Sequence, residues 1–449
     1  MADTSLGTPD QLRDPNYTPA LAKAVPLGIQ HVLAMFVSNV TPAIIVAGAA
    51  GFGFGSNSPD FPNMIYMIQM SMLFAGIATL FQTIGFGPVG ARLPIVQGTS
   101  FAFLPVMIPA VAGQGTAGLA GLMTGIVIGG LFHTFLGTFI GRLRFALPPL
   151  VTGLIVLMIG LALVKVGIQY AAGGVPLMGK PEFGSLAMWT PALVVILVTL
   201  ALKFFTRGMM SVAAVLIGLI AGYAVAYMMG QVNFGNVARA SMFEFPTPFK
   251  WGIEFNTAII IGMCFMAVIS AIETVGDVSG ICKGGAGREA TDTEIQGATY
   301  ADGIGTTVAG IFGGLPNTSF SQNVGLISMT GVMSRHVVTI GAFFLILCGL
   351  VPKFGAIIST VPINVLGGGV IVMFGMVCAA GVNMLSDVAW NRRNMVIFAV
   401  SLSVGLGLQL EPTALQHLPK TLQILLTSGL LPAAGLSIIL NLVLPEDVD

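Results

Sequence analysis

Long apolar runs separated by short polar stretches recur along the whole chain. An α-helix needs roughly 20 apolar residues to cross a bilayer, and about fourteen runs approach that length. In the first half they lie at about 26–49, 64–86, 94–112, 116–139, 148–168, 188–206 and 210–229. In the second half they lie at about 255–280, 293–313, 315–332, 335–352, 361–384, 394–410 and 421–444. The pattern predicts an all-α polytopic membrane protein.

The third and tenth segments are interrupted by polar residues, Gly and Pro. The tenth begins LPNTSFSQNVG at Leu315, and its opening is similar to Leu93-Pro94 and Thr99-Ser100-Phe101 in the third. Broken backbone at membrane depth is tolerated only where protein or a water-filled cavity surrounds it. A matched pair of such segments, one in each half, indicates the binding site of a transporter.

Two sequence matches also indicate an internal repeat. The motif at Thr99-Ser100-Phe101 returns as Thr318-Ser319-Phe320, and GLIVLMIG at 153–160 resembles GGVIVMFG at 368–375. The two offsets are nearly equal and close to half of the chain. Because seven segments per half is an odd number, the halves would lie upside down to each other. This inverted arrangement is typical of alternating-access transporters.

Composition and charge narrow the class of protein further. The chain is 55% hydrophobic and only 8% charged, whereas soluble domains carry about 25% charged residues. The net charge is zero, so we expect no nucleic-acid partner. The four cysteines have no metal-binding spacing, and no HExxH or GxSxG pattern indicates an enzyme or a metal site.

Basic residues predict the orientation in the membrane. Residues 1–25 form a polar tail that lacks the features of a signal peptide. If the termini are cytoplasmic, twelve of the 18 Lys and Arg residues lie inside and six lie outside. This follows the positive-inside rule. We therefore predict a multi-pass protein of the bacterial inner membrane, surrounded by lipid, with both termini in the cytoplasm.

Three acidic residues lie within predicted spans, where charge is costly and usually functional. Glu273 and Asp277 are four residues apart in segment eight and share a helix face, and Asp302 lies in segment nine. Asp277 could instead be a hydrated residue near the helix end. His31, in segment one, could orient a neighbouring site group, contact substrate, or be a hydrogen-bonded packing residue.

The two interrupted segments add amide, hydroxyl and aromatic groups, from Gln97, Ser100, Phe101, Gln322 and Asn323. A planar heterocycle with alternating N–H and C=O groups would suit this set. Glu273 would accept from a ring N–H, Gln322 would donate and accept, and Phe101 would stack. Asn323 has two equally good explanations: it could bond to the free backbone groups of the broken helix, or it could contact the ligand.

Several motifs carry a resemblance to a known family. They are Gln322-Asn323-Val324-Gly325 followed by Thr330-Gly331, QHVLAMF around His31, the Gln97–Phe101 block, ETVGD at 273–277, and Ala301-Asp302-Gly303. These motifs span nearly the whole chain, and along the chain they follow the order found in the nucleobase–ascorbate transporter family. The chain therefore resembles that family, in particular its bacterial xanthine and uric acid permease branch.

The resemblance implies seven plus seven spans, with short strands and half-helices in segments three and ten. It implies a core domain of residues 26–139 and 253–355, and a gate domain of residues 140–230 and 356–449. Members are commonly homodimers that move the core against the gate like an elevator. It also implies that Glu273 and Gln322 bind a purine directly and that Phe101 stacks on it. His31, Asp302 and Asn323 match supporting or coupling positions.

The primary prediction is a proton-coupled purine symporter that imports xanthine, with uric acid next. Ser100 stands where close xanthine permeases often have Asn, which leaves the choice between xanthine and uric acid open. Sodium coupling also stays open, and no cofactor other than the co-transported ion is expected. The alternatives are an anion exchanger of the sulfate-permease type and a permease for uracil or another nucleobase.

Overall fold

The structure is a computed structural model that describes residues 7–52, 60–143, 148–386 and 388–445, most of them helical. The helices of the first half are α1 (Pro9–Arg13), α2 (Leu21–Ala50), α3 (Phe61–Thr83), α4 (Leu104–Val111), α5 (Gly115–Gly137), α6 (Ile140–Leu143), α7 (Pro149–Ala171), α8 (Leu186–Phe205), α9 (Met209–Val212), α10 (Ala214–Met228) and α11 (Gly235–Arg239). Those of the second half are α12 (Thr257–Ile281), α13 (Asp292–Ile311), α14 (Ser321–Thr330), α15 (Arg335–Leu350), α16 (Pro352–Ile358), α17 (Ile363–Leu385), α18 (Arg392–Leu410), α19 (Lys420–Thr427) and α20 (Leu430–Val443). The two strands are β1 (Gln97–Thr99) and β2 (Asn317–Ser319).

Many of these helices could cross a membrane. Among the described residues, eight are long and apolar enough, or ten if the bent pairs α15 with α16 and α19 with α20 each count as one span. This confirms a multi-pass helical membrane protein. The count of fourteen segments stays a prediction, because α10 has only 15 residues, α13 carries three acidic residues, and the interrupted segments contain only short helices.

The interrupted segments contain the two short strands that were predicted. β1 and β2 pair antiparallel, with Gln97 opposite Ser319 and Thr99 opposite Asn317. A Cβ at Gly98, in the middle of β1, would lie 2.3 Å from the Phe320 ring, so this position requires glycine. α14 begins directly after β2, and α4 begins a few residues after β1. The pair of strands therefore brings the starts of two short helices together in the interior.

The two repeat-like sequences lie in α7 and α17, which pack against each other along small residues. A Cβ at Gly153 would lie 2.8 Å from Leu385 Cγ, and one at Gly160 would lie 2.5 Å from Cys378 Sγ. The two helices are therefore antiparallel, because residues near the start of α7 contact residues near the end of α17. Small residues permit such close approach of helix backbones in membranes. The inverted repeat of the whole chain stays a prediction.

The helix contacts fall into two groups. In one group α3 and α15 pack together, and so do α5 with α12 and α13, and α2 with α15. In the other, α7, α8 and α10 pack on α17, and α18 packs on α20. The paired strands contact α2, α3, α12 and α13, which belong to the first group. The assignment of these groups to a core and a gate domain stays a prediction.

Candidate binding site

A cavity of about 620 Å³ lies between the two groups of helices, next to the paired strands. One side, which we call the polar wall, is formed by Ser100, Phe101, Glu273, Asp277, Ser321 and Gln322. The other side, which we call the apolar wall, is formed by Ile155, Ile159, Val215, Met373, Met376 and Met384. Binding pockets commonly have this character, with largely apolar surroundings and a few convergent polar groups.

Four of the five residues predicted to bind substrate line this one cavity, namely Glu273, Gln322, Phe101 and Ser100, and the fifth, Asn323, does not. Glu273 lies on α12, and its Oε2 is buried without a hydrogen-bond partner among the described residues. Gln322 is the second residue of α14 and is exposed to the cavity. The Phe101 ring packs edge to face on Phe374 of α17, with 5.4 Å between the ring centroids. A carboxylate, an amide and an aromatic ring thus surround the same space.

Asp277 also lines the cavity, and its side chain is only 8% exposed. Its carboxylate accepts hydrogen bonds from Ser319 Oγ at 2.8 Å and Ser321 Oγ at 2.7 Å. It is therefore not a freely hydrated helix end, which was the other interpretation of this residue. The two bonds connect α12 to β2 and to the first residue of α14, so Asp277 fixes the polar wall on one side.

Asp302 on α13 is fully buried and does not line the cavity. Its carboxylate accepts hydrogen bonds from Gln82 Nε2 at 2.9 Å, from Gln97 Nε2 at 2.5 Å and from Thr274 Oγ1. These donors lie on α3, β1 and α12. Asp302 and Gln97 therefore belong to one hydrogen-bond network behind the polar wall, which holds four elements together.

His31 and Asn323 form a second buried pair behind the polar wall. Asn323 Nδ2 lies 2.9 Å from His31 Nδ1 and 3.2 Å from the His31 carbonyl oxygen. If the amide donates to the ring, Nδ1 is the nitrogen without a proton. Neither residue lines the cavity. The geometry favours a supporting contact between α2 and α14 over direct ligand contact for both.

Ser100 lines the cavity but is only 2% exposed. Its backbone N–H donates to Pro316 O at 2.9 Å, and its Oγ accepts from Ala102 N at 3.2 Å. Its hydroxyl thus stabilises the turn between β1 and α4.

Sequence reasoning missed several residues that support the site. Asn39 Oδ1 accepts from Thr99 N at 2.8 Å, and its amide donates to Ser71 O at 3.1 Å. Gln82 and Thr274 hold Asp302. A polar side chain within an apolar run was the available signal for Asn39 and Gln82. Ser and Thr give a weaker signal, because their hydroxyls can bond to their own helix.

Within the part of the chain that the structure describes, no group of three or more His, Cys, Asp and Glu side chains is placed to hold a metal ion. The acidic residues of the site instead bond to amides and hydroxyls, or line the cavity.

Similarity to solved structures defines the fold class. The transmembrane domain of a cyanobacterial bicarbonate transporter, BicA, aligns with a TM-score of 0.54 at 16% identity, covering 92% of this chain and 97% of that chain. At this identity the match concerns the fold. The comparison therefore establishes the fold of a polytopic membrane domain for this chain.

Sequence comparison identifies the family. Residues 22–413 match the Xan_ur_permease model, described as the permease family. The uric acid transporter UacT of Escherichia coli is 37% identical over 93% of this chain and 85% of its own length. The xanthine permease of Bacillus subtilis is 33% identical over 94% of this chain and 93% of its own length. The chain belongs to this permease family, which confirms both the resemblance and the prediction that it is not an enzyme.

Proposed function

We propose that this chain is a proton-coupled symporter that imports a purine nucleobase, with xanthine the leading substrate and uric acid next. The similar proteins named as a uric acid transporter and a xanthine permease support this substrate class. An anion exchanger of the sulfate-permease type shares the fold class, but the family match favours a nucleobase.

The observation that carries the proposal is that Glu273, Gln322 and Phe101 line one cavity. An oxopurine is flat and presents N–H and C=O groups along its edge. A carboxylate accepts from the N–H groups, an amide both accepts and donates, and a phenyl ring stacks on the face. N–H groups in the first turn of a helix lack carbonyl partners within that helix, and those that begin α14 could bind a substrate oxygen, except for Asn323 N, which donates to Phe320 O at 3.0 Å.

Proton coupling is supported by the kind of groups near the site. The acidic residues of the polar wall are Glu273 and Asp277, and Asp302 lies behind them. Carboxylates in a membrane interior are typical of proton relays. In the proposed role, the hydrogen bonds of Asp302 and of the His31–Asn323 pair respond to protonation of the polar wall or to a bound substrate. Sodium could also bind a carboxylate and backbone oxygens, so the coupling ion needs its own test.

Alternating access is proposed to follow an elevator-like movement of the core (26–139 and 253–355) against the gate (140–230 and 356–449). The position of the cavity between the two groups of helices supports this division. The proposal includes fourteen segments in an inverted repeat, a homodimer in the lipid bilayer, and cytoplasmic termini.

Uptake of radiolabelled xanthine tests the proposed function. Cells that lack their own purine permeases would express the chain, and unlabelled uric acid, hypoxanthine and uracil would compete. We expect saturable uptake that uric acid inhibits more than uracil does. A protonophore should abolish accumulation, whereas replacement of sodium should not. Stronger inhibition by uracil than by unlabelled xanthine would contradict the purine assignment, and sodium dependence would contradict proton coupling.

A further inference from the structure

One cavity residue has a charge opposite to that of the acidic groups. Lys203 lines the cavity and lies in the last turn of α8. The next two residues, Phe204 and Phe205, are 79% and 88% exposed and do not line the cavity. The helix thus directs its lysine to the cavity and its aromatic rings to the surroundings. Glu273 and Asp277 lie on a different helix, α12, in the polar wall.

Lys203 forms no ion pair with any of the described residues. The helices that contact α8, namely α7, α9, α10 and α17, contain no Asp or Glu. The negative end of the α8 dipole stabilises a cation in this turn. A lysine ammonium on a flexible four-carbon chain can therefore interact with a charge that enters the cavity.

We propose that Lys203 is a specificity residue that improves the binding of an anionic oxopurine and has little effect on a neutral one. The inference rests on the proposed function and extends it. Uric acid is an anion at neutral pH, and the carboxylates of the polar wall repel an anion. A positive charge across the cavity offsets this repulsion, since charge–charge energies of about 1 kcal/mol persist at several ångströms even in water-like surroundings.

The experiment compares urate and xanthine uptake at a mildly acidic pH, where urate is mainly an anion and xanthine mainly neutral. The variants are Lys203→Gln, Lys203→Arg and, as a matched control, Arg207→Gln. Arg207 is an exposed cation just after α8 that does not line the cavity. The amount of each variant in the membrane is measured, so that uptake is expressed per inserted protein.

Lys203→Gln should raise the KM for urate roughly five- to tenfold and the KM for xanthine less than about twofold. Lys203→Arg should restore urate uptake, and Arg207→Gln should leave both values unchanged. High salt should reduce the difference between wild type and Lys203→Gln, because it screens the charge.

Two results would overturn the inference while leaving the proposed function intact: an equal loss for both purines in Lys203→Gln, or the same urate defect in Arg207→Gln. If wild type transports xanthine but not urate, xanthine at alkaline pH serves as the anion, and the same outcomes decide. Absence of purine uptake by inserted wild type would overturn the proposed function, and this inference with it.

Discussion

The two walls of the cavity are built differently. In the polar wall, hydrogen bonds hold the frame: the Asp277 carboxylate accepts from Ser319 and Ser321, and in the backbone beside it the Phe320 N–H donates to Val96 O at 3.0 Å. The apolar wall consists of aliphatic and thioether side chains on α7, α10 and α17, among them Met373, Met376 and Met384. The first wall can impose a pattern of donors and acceptors, and the second can impose only a shape.

This difference predicts different roles for the two walls. A frame that neighbouring hydrogen bonds already hold in place has less to order when a ligand arrives, which lowers the entropy cost of binding. Methionine side chains, in contrast, are flexible and adapt to the shape beside them. Loss of a charged or amide group from the polar wall should therefore affect whether transport occurs, whereas changes of shape, in the apolar wall or at Ser100, should affect which purines fit. Substitutions in each wall test this division.

The largest effect is expected for Glu273→Gln. The variant keeps the size of the side chain but loses the negative charge, and Oε2 of Glu273 has no protein partner among the described residues. Gln keeps one neutral acceptor and turns an N–H₂ donor toward the second ring N–H. A hydrogen bond to a charged group contributes about 1.5–3 kcal/mol, so loss of both charge-assisted bonds corresponds to at least about 100-fold weaker transport. Xanthine uptake per inserted protein measures this.

Glu254→Gln is the matched control, because Glu254 is exposed in the loop before α12 and does not line the cavity. It should transport like wild type. Normal xanthine transport by Glu273→Gln, at equal insertion, would contradict the assignment of Glu273 to the substrate.

Asp302→Asn should lower the accumulation of xanthine against a gradient roughly tenfold and leave the binding of xanthine largely intact. The Asn oxygen can still accept from Gln82 and Gln97, and the new amide can donate to Thr274 Oγ1, whose hydroxyl also lies 3.0 Å from Ser270 O. The fold should therefore persist while an ionisable group is lost. Accumulation against a gradient should fall, whereas exchange of xanthine at equilibrium should continue.

Asp292→Asn serves as the control, since Asp292 is exposed in the first turn of the same helix, α13. Accumulation should be unchanged in this variant. A defect in exchange as large as the defect in accumulation would argue against a coupling role for Asp302 and for a purely structural one.

The network around Asp302 shows which parts of the site could be predicted from the sequence and which could not. The apolar periodicity and the two TSF motifs were sufficient to predict a helical membrane protein with a site at two interrupted segments. The identity of Asp302 as a functional candidate followed from its charge. Its partners Gln82 and Thr274 did not. The first pairing joins side chains 220 residues apart and depends on how α3 and α13 pack, and the second depends on how α12 and α13 pack.

For a similar reason, the sequence alone could not predict that Lys203 lines the cavity. A lysine at the end of an apolar run is typical of a cytoplasmic helix end. Which side of α8 it occupies depends on contacts with α10 and α17. The exposed Phe204 and Phe205 beside it become informative only once these contacts are known.

Ser100→Asn should change selectivity by a few fold and leave xanthine transport active. Ser100 is buried in the turn after β1, with its Oγ accepting from Ala102 N. A larger amide there would extend toward the cavity and crowd purines that carry an additional oxygen. Competition of uric acid against labelled xanthine measures the effect. Ser100→Ala, which removes the hydroxyl without adding bulk, is the control, and an identical competition profile in all three proteins would exclude Ser100 from selectivity.

The smallest effect is expected for Met376→Leu in the apolar wall. The substitution conserves volume, and such swaps usually cost less than about 1.5 kcal/mol, but leucine has fewer flexible bonds than methionine. The KM for xanthine should change less than about threefold, while bulkier purines should compete more weakly. Met395→Leu, at an exposed residue on α18 outside the cavity, should change neither value. A loss of xanthine transport comparable to that of Glu273→Gln would mean that the apolar wall contributes more than shape, and the division between the two walls would fail.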